Sequence, residues 1–163
     1  MSTDSVLAAR KPFVGVWTLE SFTETTGSSE EVSPLGNAPL GFLIYTAEGF
    51  VSAQLMRRDR EAVGSDPWAG EKSDEGADLT TGYIAYCGRY EVDESNSEVL
   101  HIPIVALLPN LVDREQHRSF KFEGRTLTLV IMQATSTGVM IKSRLVWNRP
   151  PQNASGSDSL PYV

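Results

Sequence analysis

The chain has one cysteine, Cys87, and two histidines among 163 residues. A single cysteine excludes an internal disulfide framework and suits a reducing compartment. With no cysteine pair and no His-x-His spacing, metal binding has little to build on, and no glycine-rich loop invites a nucleotide phosphate, so no cofactor is expected. Basic residues are outnumbered, 14 Lys and Arg against 21 Asp and Glu, for a net charge of −7. That balance argues against nucleic acid and against an anionic membrane surface as partners. Long apolar runs are missing too: Leu127-Thr-Leu-Val-Ile-Met132 is far too short to cross a bilayer as a helix. Met1-Ser-Thr-Asp-Ser-Val6 has neither the basic start nor the apolar run of a secretory signal, so a cytoplasmic location is expected.

What the chain does have is alternation. Gly41 to Met56 holds two aromatic and aliphatic arms around Thr46-Ala-Glu-Gly49, the pattern of a β-hairpin with Gly49 in the turn. Both faces of its first arm are apolar, which suits a closed barrel with one face inward and the other packed under neighbours. Further strands are expected over Phe13–Thr25, Thr81–Val92, Val99–Ile102, Gln116–Glu123, Arg125–Gln133 and Met140–Asn148. Pro103 either breaks its strand or marks a bulge or an edge. Gly88, among the alternating Ile84, Tyr86, Tyr90 and Val92, leaves room for a ligand or a second backbone. The sum is an all-β, eight-stranded antiparallel up-and-down barrel over residues 13–148, with a flexible lead over 1–12 and a flexible tail over 149–163. Between Met56 and Thr81 the charge run Arg57–Glu61 and the turn-rich stretch around Trp68 read as a short helical, lid-like insertion. Asp66 is placed to cap one helical turn there, and Ser73–Leu79 to form another.

Parity groups the candidate functional residues. Tyr86 and Tyr90 share a face, and Tyr45 can join them across the sheet. Phenols offer apolar area and a hydroxyl that donates to a carbonyl or enolate oxygen. Arg118 shares a face with Phe120 and Phe122. A guanidinium there either pairs with acceptors to close the barrel or holds an anionic or carbonyl group of a ligand. His101 reads as a general acid or base, or as a hydrogen-bonded histidine at the barrel rim; His117 faces away from the apolar side and reads as solvated. Gln54 and Met56 orient a ligand if their face points inward, and Trp147 shares a face with Leu145. Trp17 reads as a plug at the closed end. Cys87 faces away from the tyrosines and has no partner that would make it a nucleophile.

Several stretches together resemble the lipocalin-like domain proteins of bacteria and fungi. They are Val14-Gly-Val-Trp17, Pro39 to Thr46 continuing through Ser52-Ala-Gln-Leu-Met-Arg57, Tyr83 to Asp93, and Gln116 to Leu129. The resemblance spans roughly residues 13 to 148 and implies a calycin-type barrel with a central cavity. Some fungal members are associated with natural-product pathways, which implies a cofactor-independent isomerase or cyclase holding a small hydrophobic substrate, with Tyr86, Arg118 and His101 catalytic. Tyr45, Gln54, Met56, Tyr90, Phe120 and Trp147 would bind the ligand. A non-catalytic carrier of a small apolar ligand is the alternative, and a homo-oligomer is left open. The chain departs from the family pattern after His101, where Ile102 to Leu108 is apolar in place of a second polar or acidic residue.

Overall fold

The computed structural model describes residues 3–27, 29–60 and 81–151. After one helix, α1 (Thr3–Arg10), come the strands β1 (Gly15–Thr26), β2 (Leu40–Tyr45), β3 (Phe50–Met56), β4 (Tyr83–Asp93), β5 (Glu98–Ala106), β6 (Gln116–Glu123), β7 (Thr126–Ala134) and β8 (Met140–Asn148). Each strand pairs antiparallel with the next, and β8 pairs back to β1, so the sheet closes with no free edge. The eight-stranded up-and-down barrel expected from the alternation is the fold. The insertion expected between Met56 and Thr81, with Asp66 and Trp68, lies outside the described residues over 61–80, as does the tail over 152–163.

Alternation decides what is inside. Along β2 and β3 the buried residues are Gly41, Leu43, Tyr45, Val51, Ala53 and Leu55, so the opposite parity of each arm faces outward. The hairpin turns at Gly49, whose φ of 94° lies where side chains with a Cβ are strained. At Gly88 the backbones of β4 and β5 come so close that an added Cβ would lie 2.0 Å from the Ile102 carbonyl oxygen. It is a second backbone, not a ligand, that uses the space. Pro103 sits opposite Gly88 at a bulge, and Cys87 then pairs with Val105, skipping Ile104. Beyond the bulge Ile104 and Val105 are both exposed, and Cys87 lies on the outer face as expected.

One end of the barrel is sealed by residues from both chain ends. The segment expected as a flexible lead instead forms α1 and delivers Phe13 into the interior, where its ring meets Tyr45, Phe120 and Phe122 edge-on at 5.3, 4.9 and 4.9 Å between centroids. The Trp17 indole N–H donates to the Phe13 carbonyl at 2.8 Å, and Trp17 is buried as the expected plug. Arg149, expected in the flexible tail, stacks 4.1 Å over the Trp17 ring and donates to the Val14 and Pro12 carbonyls at 2.9 and 2.8 Å. Arg10 reaches in from α1, its guanidinium 5.3 Å from the Tyr90 ring centre. Phe13 is therefore a core residue despite lying outside every strand. Phe13→Ala is expected to lower unfolding free energy by about 3–5 kcal/mol, read as a lower urea midpoint at unchanged m-value.

Candidate functional site

Inside the apolar barrel four polar side chains form one chain of hydrogen bonds. The β2 strand ends on Tyr45, whose hydroxyl lies 2.6 Å from Nε2 of His101. His101, on β5, is fully buried, with its Nδ1 2.8 Å from the Tyr86 hydroxyl. Arg118, on β6, donates from Nη2 to that same hydroxyl at 3.2 Å and from Nη1 to the Gln116 carbonyl at 2.6 Å. The register brings them together: Tyr90 pairs with His101 and His101 with Gln116, two residues before Arg118, while the bulge lets Tyr86 reach His101. No carboxylate among the described residues forms a salt bridge with Arg118.

Burial fixes the protonation of this cluster. It pushes His101 well below the usual histidine range, helped by the nearby Arg118 charge, so the ring is neutral. Burial raises Tyr45 well above the ordinary phenol value, and raises Tyr86 against the opposing pull of Arg118. Tyr90, pushed up to about 12 by burial, is protonated as well. A neutral imidazole has one N–H, and donor counting assigns it. If Nε2 carried the proton, the Tyr45 hydroxyl would accept it and its own hydrogen would have no acceptor in a closed, buried position. If Nδ1 carries it, Tyr45 donates to Nε2, and Tyr86 accepts from both His101 and Arg118. The Tyr86 hydrogen is then free, and Tyr86 lines a cavity. The second arrangement satisfies every closed-in donor.

That cavity has a volume of about 80 Å³ and is walled by Tyr86, His101, Arg118 and Trp147 together with aliphatic side chains such as Leu55 and Ile131. The Trp147 indole N–H is buried with no acceptor among the described residues and exposes no surface to the cavity. Of the residues expected at the site, Tyr86, Arg118, His101 and Trp147 meet here, and Tyr45 supports them from behind. Tyr90 and Phe120 pack on Phe13 at the sealed end, and the Tyr90 hydroxyl donates to the Thr46 carbonyl at 2.8 Å. Gln54 and Met56 require correction: their face of β3 points outward, where the Tyr83 hydroxyl donates to Gln54 Oε1, and Gln54, Met56 and Tyr83 line a groove on the barrel exterior. Two further expectations are settled by position. His101 lies in the interior and not at the rim, with both ring nitrogens occupied. His117 is exposed, 3.0 Å from Glu98, which raises its pKa.

A closed antiparallel barrel with a polar cluster at an interior cavity is the build of a small-molecule-binding β-barrel. The chain belongs to the lipocalin-like domain family, whose model matches residues 14–150. A search of curated proteins gives no match. No described helix is long and apolar enough to cross a membrane.

The neutral histidine makes stability depend on pH with a definite sign. Below the ordinary value of 6.5 the unfolded chain binds a proton that the folded one refuses, so stability falls as pH falls. Going one unit below that value is expected to cost about 1 kcal/mol through this group. His117, raised by its acidic neighbours, acts in the opposite sense but is exposed and screened. The difference between wild type and His101→Gln in urea melts at several pH values isolates the buried group. The same wild-type sample is expected to show His101 protonated on Nδ1 in ¹⁵N-edited NMR; a protonated Nε2 would reverse the direction of the hydrogen-bond chain.

Proposed function

We propose that the barrel holds one end of a small, mainly apolar molecule in its cavity, and that it acts as a cofactor-independent isomerase or cyclase on that molecule. The observation that carries the reading is the Tyr86 hydroxyl, held between His101 Nδ1 and Arg118 Nη2 at the cavity wall. A phenol that accepts two hydrogen bonds, one from a guanidinium, is a stronger donor toward a ligand oxygen. A carbonyl placed there gains negative character on oxygen as its neighbouring carbons rearrange. Tyr86 and Arg118 stabilise that charge with dipoles already in place, in a site from which the barrel wall excludes bulk water.

His101 is a positioning residue in this scheme. Its Nδ1–H orients the phenol, and Tyr45 fixes the imidazole from the other side. The cluster supplies donors and holds the substrate in one conformation, a contribution that suits intramolecular ring closure. Cyclisation is favoured over isomerisation within the pair, because both imidazole nitrogens are engaged and, among the described residues, no carboxylate lines the cavity to abstract a proton.

Size constrains the substrate. About 80 Å³ is well below the roughly 300–1,000 Å³ of pockets that enclose a drug-sized ligand. The oxygen-bearing end of the molecule enters and the remainder stays outside. The test is to extract and identify small molecules that co-purify with the protein from its producing cells, then to supply the precursor to wild type and to Tyr86→Phe. The phenylalanine variant is expected to lose about 100- to 1,000-fold in kcat, with ligand affinity changed by less than about 10-fold. Equal turnover by both proteins would remove Tyr86 from the chemistry. Binding with no turnover of any precursor would leave the barrel a carrier.

A further inference from the structure

We infer that the substrate arrives already ionised, as a planar, delocalised oxyanion of the carboxylate or enolate type. This inference rests on the cavity being the ligand site, as proposed above, and specifies the class of molecule it takes. It follows from counting what the cavity wall offers. Tyr86 presents a free O–H once its oxygen has accepted from His101 and Arg118. The Trp147 ring belongs to the wall, but its indole N–H is buried away from accessible space and is not counted among the donors. Arg118 brings a guanidinium, buried to 7% exposure, whose assigned acceptors are one phenol and one backbone carbonyl.

Against these donors the described residues of the wall set no free acceptor. Both imidazole nitrogens are engaged, the Tyr86 oxygen is saturated, and the other lining side chains are hydrocarbon. A neutral alcohol or amide would bring a donor of its own into a space with nothing to receive it, which is unfavourable when buried. An oxyanion brings acceptors alone. It also supplies the negative charge that Arg118, buried without a carboxylate partner among the described residues, otherwise lacks. A planar group suits the guanidinium fork.

The test titrates the full chain by calorimetry at neutral pH with two matched pairs. They are butyrate against butyramide, and cyclopentane-1,3-dione, an ionised enol under these conditions, against cyclopentanone. The anion of at least one pair is expected to bind about 10-fold or more tightly than its neutral partner, the scale of a hydrogen bond to a charged group. A preference confined to butyrate identifies a carboxylate ligand, and one confined to the dione identifies an enolate. The advantage is expected to vanish in Arg118→Met and to persist in Arg118→Lys. Should the methionine variant fail to fold, the wild-type comparison still decides. Equal affinity for anion and neutral partner in both pairs overturns the oxyanion assignment while leaving the cavity a ligand site. No binding by any of the four overturns the assignment and the cavity reading together.

Discussion

The interior of this barrel is organised by one requirement, that His101 stay neutral with both ring nitrogens satisfied. An imidazole with no exposure to solvent offers one donor and one acceptor, and each must be met inside hydrocarbon. Tyr45 and Tyr86 meet them, from strands on either side of β3, and Arg118 extends the chain from β6. A charged histidine would add a second cation beside Arg118 in a low-dielectric space, and a missing phenol would strand a polar nitrogen. The cluster therefore acts as a unit. Its rigidity holds the Tyr86 hydroxyl at one place on the cavity wall.

The closed end makes that arrangement affordable in packing terms. Phe13, Trp17, Tyr90, Phe120 and Phe122 fill one end of the barrel with rings in edge or tilted contact, and Arg10 and Arg149 stack over the outermost of them. Dense aromatic packing fills that end of the barrel, and a cavity of about 80 Å³ lies next to Tyr86, Arg118 and Trp147. Packing and polar chemistry are thus separated along the barrel axis. The residues in between, Tyr45 and His101, belong to both.

The sequence was legible wherever a strict two-residue period held. The faces carrying Tyr86 and Tyr90, Arg118 and Phe120, and Trp147 and Leu145 all follow from alternation, and each turned out to be the inner face. Alternation fails to say which parity is inside when both are partly apolar, and β3 is the case in point. Gln54 and Met56 sit among Phe50 and Ser52 on a face polar enough to line a site, yet Ala53 and Leu55 are the buried set. The signal that resolves it is the register with β4, since Ala53 pairs with Tyr86 and Gln54 with Ala85. Phe13 reads in the sequence as the first residue of β1, but the strand begins at Gly15 and Phe13 enters the core from the turn after α1, a placement that alternation does not encode. The prolines after Arg149 mark a tail in the sequence, yet its guanidinium docks on Trp17 at the sealed end of the barrel.

The hydrogen-bond chain has a direction that composition and periodicity could not reveal, and that direction bears most on function. With the imidazole proton on Nδ1, every donor in the chain points toward the cavity: Tyr45 to His101, His101 to Tyr86, Tyr86 to the open space, with Arg118 alongside. Such an array gains nothing from a ligand that is itself a donor and most from one that only accepts. Because burial raises both phenols and lowers the imidazole, protonation of this array stays the same across neutral pH. A site built this way does not work by titrating a base through its operating range. On the proposed reading it works by keeping a fixed set of donors aimed at oxygen, with selectivity set by the charge and shape of what enters a volume of about 80 Å³.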